Sequence, residues 1–330
     1  MIPRLLIAGL FTAAVFAQPQ RLRVGEIEFY GYAGLDLNAI RAGLPLHEGD
    51  EVSHDEMPAL KDKLQQATKA TRVEGVCCDD QGGLMIYLGL PGKSARSLPY
   101  NPAPSGAARL PKAITDLYQE YGDALTQAIS RGAASEDHSK GYALSVDPAV
   151  RAKQLAMRDY AIGHERIVLR VLESSSDAEQ RAVAAQLTGY ARQSRAHIAA
   201  LVRASHDPDD DVRNNAVRAL WVLASSNPKR AARIPAVGFA EMLFSESWTD
   251  RNKASLLLDA LTQSRDSKVL REVCTQAREP LLEMARWRSK GHAASARLIL
   301  GRCAGIGEDR LQKLAARGEP GPILEALHAQ

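Results

Sequence analysis

Aromatic side chains are few in this chain: three Trp, nine Tyr and five Phe among 330 residues. Alanine is abundant instead, above all after residue 105, so the helices there pack closely through small side chains. A strong charge excess is missing too. Lys and Arg number 42 against 39 Asp and Glu, a formal net charge of +3, which argues against a dedicated nucleic-acid binder. The charge is uneven along the chain: residues 18–105 carry 9 basic and 12 acidic side chains, and residues 177–330 carry 23 and 18. The two parts can attract each other, or the basic part can favour an acidic partner. Beyond residue 17 no apolar run is long enough to cross a bilayer, which takes roughly twenty residues. No C-terminal series of alternating strands appears, so an outer-membrane barrel is excluded.

The patterns of common chemistry are absent as well. Histidines stand at positions 47, 54, 138, 164, 197, 206, 292 and 328, and His164-Glu165 lacks the second His that a zinc-protease helix requires. No Gly-rich phosphate loop follows a strand. Ser226 and Lys229 fit a Ser-x-x-Lys string, but Pro228 breaks the helix such a nucleophile needs. Asp207, Asp209, Asp210 and Asp211 lack the remaining ligands of a calcium loop and are read as a helix-capping turn. Cys77 and Cys78 lack the further ligands a soft metal would need. No catalytic residue, cofactor or metal is therefore assigned, and the expectation is a protein that is not an enzyme. The four cysteines, Cys77, Cys78, Cys274 and Cys303, allow three pairings. Cys274 and Cys303 lie in neighbouring helical segments and could bond; the adjacent Cys77 and Cys78 are expected on opposite faces of a strand.

What is present starts at the first residue. Arg4 precedes an uncharged apolar run from Leu5 to Ala17, followed by Gln18-Pro19-Gln20, the pattern of a secretory signal peptide over residues 1–17. The alternative is an uncleaved anchor. The expected location is the periplasm or the extracellular space.

From residue 18 to 90 the spacing predicts strand, helix, helix, strand, strand. Leu22, Val24, Ile27 and Phe29 form the first strand, with Gly25 as a bulge where the alternation slips. Asp36 to Leu44 reads as a short helix and Pro45 to Asp50 as a turn. Ser53 and Glu56 make a capping box ahead of Met57, Leu60, Leu64 and Ala67. Arg72 to Cys78 is a strand, residues 79–83 a hairpin turn, and Leu84 to Leu90 a half-buried strand. Val24-Gly25-Glu26-Ile27-Glu28-Phe29 with Gly31, the run Leu44 to Asp50, the Ser53 helix and the closing hairpin resemble a POTRA domain. That module occurs in outer-membrane assembly, polypeptide-transport and septum proteins. The resemblance implies a periplasmic domain that binds extended peptide by adding a strand to its sheet edge.

Residues 91–111 hold five prolines and read as an extended linker. Residues 112–146 supply a connecting helix and a polar loop. From residue 147 to 330 the chain is helical and repeats. Ala184, Ala216, Ala254 and Ala296 occupy corresponding positions, 32, 38 and 42 residues apart. The segment Asp207 to Leu223, with Asp209, Asp210, Val212 and Arg213, resembles the first helix of a HEAT repeat, and Asp250-Arg251 opens another. The expected architecture is thus an α+β POTRA-like domain (β-α-α-β-β) followed by an all-α HEAT-like (armadillo-like) solenoid. Its helix pairs bury their apolar faces only by stacking. Asp209 and Asp210 are read as caps, and Arg213 and Arg251 as structural rungs reaching a carboxylate of the next repeat. Pro235 and Pro280 should start, kink or split the second helices.

The candidate interaction surface comprises Lys229, Arg230 and Arg233 with Arg286, Trp287 and Arg288, because Trp and Arg are enriched at interfaces. The functional expectation is an exported scaffold or adaptor binding other proteins through its helical-repeat surface, and extended peptide at the sheet edge. It binds no nucleic acid and does not stay in the membrane once the signal is cut. The competing readings are an enzyme or regulatory subunit acting on a partner protein, and a docking factor for outer-membrane assembly.

Overall fold

A computed structural model describes residues 21–79, 81–133 and 135–329; the signal-peptide segment lies outside them. A small mixed sheet at the N-terminus is followed by a predominantly helical region. Strand β1 (Arg21–Tyr30) leads to helix α1 (Leu37–Ala42), β2 (Glu51–Ser53), α2 (Met57–Thr68), β3 (Arg72–Cys77) and β4 (Leu84–Gly89). The strand order is β2-β1-β4-β3, with β1 parallel to β4 and the other two pairings antiparallel. β2 is an element the sequence did not announce. It forms where Glu51, Val52 and Ser53 lie opposite Arg21 to Arg23. Only half of the capping box is made: the Ser53 amide donates to the Glu56 carboxylate at 2.8 Å, while α2 has no side-chain cap.

The β1–β4 register slips between Val24 and Glu26, so Gly25 is the bulge. A Cβ there would overlap the Asp79 carboxylate, which is occupied in accepting the Gln81 and Gly83 amides at 2.8 and 2.7 Å to shape the turn before β4. The slip puts Ile27 and Phe29 on the face covered by α1 and α2, with Leu64, Val73, Ile86 and Leu88. Tyr30, Met85 and Tyr87 belong instead to the core shared with the helical region. β4 is consequently buried on both faces, where alternation alone predicted one. Cys77 and Cys78 are joined to each other across a cis peptide, Cα to Cα 3.0 Å. The bond between them corrects the expectation of opposite faces.

The helical region begins with α3 (Lys112–Ser130), a two-strand ladder of β5 (Glu136–Asp137) and β6 (Leu144–Ser145), and α4 (Pro148–Gly163). Then come α5 (Glu165–Ser174), α6 (Ala178–Tyr190), α7 (Arg195–Ala204), α8 (Asp210–Ser226), α9 (Pro228–Ala231) and α10 (Val237–Met242). α11 (Trp248–Thr262), α12 (Ser267–Gln276), α13 (Arg278–Ala285), α14 (Lys290–Cys303), α15 (Glu308–Arg317) and α16 (Gly321–His328) complete it. α6, α8, α11 and α14 pack side by side in that order. Their shared face is built from Ala184, Ala216, Ala254 and Ala296 with Leu187, Leu220, Leu258 and Ile299, all fully buried. Small residues at the contact let these helices approach closely: a Cβ on Gly189 of α6 would lie 2.8 Å from that of Ala219 on α8. Pro235 lies in the break between α9 and α10, so the expected second helix is two short ones. Cys274 of α12 and Cys303 of α14 form a disulfide with Cα atoms 5.7 Å apart.

Residues 91–111 are held against the helices rather than hanging free. Arg96 N donates to Phe244 O at 2.9 Å, Asn101 N to His206 O at 2.7 Å and Gly106 N to Ser174 O at 2.8 Å. Leu110 N reaches the Gln180 side chain at 2.7 Å. The strap thus runs past the turns that precede α11, α8 and α6, in the reverse of chain order. Its prolines keep it extended, and the turn carbonyls take the Arg96, Asn101 and Gly106 amides.

Candidate functional site

The turns under the strap carry a buried ladder. Arg181 donates to both Asp207 oxygens at 2.8 Å, Arg213 to Asp250 at 3.0 and 3.1 Å, and Arg251 faces Glu283 at 3.4 Å. Each guanidinium also donates to a carbonyl six residues upstream: Ser175 O, Asp207 O and Ser245 O. The three arginines are 2 % exposed or less. Asp209 caps α8, accepting the Asp211 and Val212 amides at 3.0 and 3.1 Å. Asp210 instead points outward to Arg213 and to Arg72 of β3. Tyr100 of the strap stacks on Arg213 at 4.1 Å and Tyr30 of β1 on Arg251 at 4.8 Å. These rungs are enclosed on every side, so what they hold is the fold.

The second predicted set divides. Trp287 is 1 % exposed. Its ring meets Tyr87 edge-on at 5.1 Å and its Nε1 donates to Phe29 O at 2.9 Å. Arg288 donates to Glu28 at 3.0 Å and to both Glu48 oxygens. The aromatic among cations therefore marks the contact between the chain's own two parts, not a free surface. Arg286 remains exposed. Lys229 sits at the start of α9, Arg230 reaches Ser226 Oγ at 3.3 Å, and Arg233 lies exposed between α9 and α10.

Sequence reasoning missed the partners across this seam. Glu74 of β3 accepts the Trp248 amide at 2.7 Å and the Tyr30 hydroxyl at 3.1 Å, and burial pushes its carboxyl up. Glu283 accepts the Gly31 and Ala33 amides at 2.7 and 2.9 Å and the Ser94 hydroxyl. Burial pushes Glu283 up and Arg251 down to about 10. Tyr87 Oη lies 2.6 Å from His292 Nδ1. Burial, then the nearby Lys253 ammonium, lowers His292 to about 4. Burial, then Arg218, lowers Lys253 to about 8. Glu136 is buried, which raises a carboxyl, yet His138 and Arg218 hold it at about 2. The one available signal was the glutamates inside β1 and β3, which alternate with apolar residues and so share a face.

The two sheet edges differ. Beyond its three-residue pairing with β2, β1 is an edge whose outward backbone groups are occupied by side chains: Glu48 and Arg41 at Ile27 and Trp287 at Phe29. Past the strand end, Glu283 takes the Gly31 amide. On the other side β3 has no second neighbouring strand among the described residues, and Gly75 and Cys77 are exposed. A blocked edge cannot accept a further strand; an unpaired one can.

Surface grooves follow the outer row of helices. One of about 500 Å³ lies against α5 at Ile167 and Arg170. A second, about 570 Å³, lies between α7 and the α9–α10 break. A third, about 530 Å³, lies between α9 and α12 at Ala231 and Val269. Among the described residues no group of three or more His, Cys, Asp or Glu is placed to hold a metal ion. Ser194 and His197 are 2.7 Å apart, but the serine is the N-cap of α7 and accepts the His197 amide. Among the described residues no helix is long and apolar enough to cross a membrane.

No family model matches this chain, and no curated protein does. Among solved structures, the crystal structure of an engineered protein is similar to 66 % of this chain and 98 % of its own, at 18 % identity with a TM-score of 0.41.

Proposed function

We propose that this chain is an exported, non-enzymatic scaffold or adaptor that binds other proteins through the outer surface of a HEAT-like helical array. The observation that carries this reading is the succession of three grooves along α5, α7 and α9–α12. They recur with the helix pairs. The ladder, by contrast, is covered by the strap, and Trp287 and Arg288 are spent on the sheet. A repeat array that devotes its inner edge to rigidity presents its outer row to partners, and stacking gives that row its regular spacing.

A second surface is favoured by the contrast between the sheet edges. The POTRA-like unit would take an extended peptide beside β3, since the β1 edge is blocked by its own side chains. The test is photo-crosslinking in the periplasm, with the crosslinker placed in turn at Ala199 on the outer row, at the exposed Thr71 just before β3 and at Lys112 on α3. Defined protein partners captured at Ala199, and not at Lys112, support the adaptor. Recovery of no partner from either surface, or turnover of a small molecule by the purified chain, would refute it.

A further inference from the structure

The groove on α7 is the only one of the three ringed by arginines, Arg195, Arg203 and Arg233. Arg195 and Arg203 stand two turns apart on the exposed side of α7, with Ala199 between them; Arg233 rises from the opposite wall. Arg203 is paired with Glu173 of α5. Among the described residues neither Arg195 nor Arg233 has an acidic partner. The floor is apolar, made by Ile198, Ala199 and Val202 with Pro235 facing them.

From this lining we infer that the groove binds an acidic amphipathic helix, about three turns long, from a partner protein; the inference rests on the adaptor reading. The chemistry of the walls selects the occupant. The backbone of α7 is bonded within its own helix and Pro235 has no amide, so the groove offers no ladder of alternating amides and carbonyls such as a strand edge presents. An extended peptide would leave its own amides and carbonyls unpaired there, whereas a helix satisfies them internally. The apolar floor calls for an apolar stripe at i, i+3, i+4 and i+7. The guanidinium rim calls for carboxylates flanking that stripe, where bidentate pairing is strongest. α7 has 10 residues, a length of about 15 Å, which sets the occupant at three turns. A flat bilayer cannot follow a concave channel one helix wide, so an anionic membrane is the alternative the experiment must separate.

The probe is a fluorescein-labelled 14-residue peptide, with Leu at i, i+3, i+4 and i+7 and Glu flanking, titrated with the full chain and read by anisotropy. Its controls are the same peptide with Lys for Glu, and a scramble that scatters the leucines. The expected result is saturable binding that is at least tenfold weaker for either control. The Arg195→Glu/Arg233→Glu double variant should weaken the acidic probe at least tenfold and strengthen the lysine peptide. Both positions are exposed, so circular dichroism should be unchanged. Val202→Asp should weaken both peptides. Equal binding of all three peptides, no binding of the acidic probe at 1 mM, or indifference to the double variant would each overturn the inference. So would co-sedimentation with phosphatidylglycerol vesicles, lost in the double variant, without peptide binding. The two readings fail separately. Partners captured at Ala199 undiminished by Arg195→Glu/Arg233→Glu sink the groove and leave the adaptor. Specific probe binding with no partner captured in the periplasm sinks the adaptor.

Discussion

Glu283 is where the two parts of the chain are clamped, and Glu283→Gln removes the clamp at nearly constant volume. In the native protein its carboxylate takes the Gly31 and Ala33 amides at 2.7 and 2.9 Å and faces Arg251 at 3.4 Å, at 2 % exposure. A hydrogen bond to a charged acceptor contributes about 1.5–3 kcal/mol, and the glutamine amide presents N–H to one of these donors. Arg251 meanwhile keeps its buried charge with no counter-charge, a change that costs about 3–5 kcal/mol. The two penalties share the same atoms and do not sum, so a loss of about 3–5 kcal/mol is expected. Urea unfolding followed by tryptophan fluorescence reads it, because Trp248 and Trp287 sit at the seam. The midpoint should fall, and residues 91–111 should become open to protease, since Arg251 also holds Ser94 O at 2.7 Å. If Glu283→Gln lies within 0.5 kcal/mol of the native chain, the reasoning about the seam is wrong.

Three other outcomes follow from the same structure. His292 is held at about 4 against an ordinary 6.5. Its folded value is depressed, so its contribution is intact above pH 6.5 and is lost as pH falls towards 4, by up to about 3 kcal/mol. Urea midpoints measured from pH 7 to 4 should therefore fall less steeply for His292→Asn than for the native chain. The Cys274–Cys303 bond closes a loop of 29 residues, worth roughly 3.5 kcal/mol of unfolded-state entropy; Cys274→Ser should lower the midpoint accordingly, and dithiothreitol should bring the native chain to the same value. Gly25→Ala forces the Asp79 carboxylate off the Gln81 and Gly83 amides, about 2 kcal/mol at roughly 1 per bond, readable as a drop in melting temperature.

Local signals were legible because their partners are near in sequence. Asp209 caps amides two and three residues on, Gly25 stands where the alternation slips, and the recurring alanines mark a helical face. An N-terminal sheet unit followed by helices could be read on that basis. What could not be read is anything decided by the far side of an element. The alternation Leu84, Ile86, Leu88 against Met85, Tyr87 is the signature of one buried face, and it stays the same when a second layer covers the other. Trp287 between Arg286 and Arg288 announces an interface without saying with what; Phe29 and Glu28 answer from some 260 residues away. The proline-rich segment has few large apolar side chains and so looks solvated, although Leu110 reaches the core. Its order comes from backbone groups that find the carbonyls of successive turns, and composition does not record that.

The same contacts make the two sides of the sheet unlike. Glu28 and Glu48 draw Arg288 onto the β1 side, and Trp287 and Glu283 follow. An edge strand closed this way resists unwanted pairing. β3 receives no such treatment on its outer side: its charged residues, Arg72 and Glu74, turn instead toward Asp210 and Trp248. That asymmetry follows from where the helical region docks, since α13 abuts β1 and the starts of α8 and α11 meet β3 through Asp210 and Trp248. Docking therefore settles which edge stays available, and detaching the seam through Glu283→Gln should expose the β1 edge as well, seen as faster amide exchange at Ile27 and Phe29 while Val76 is unchanged.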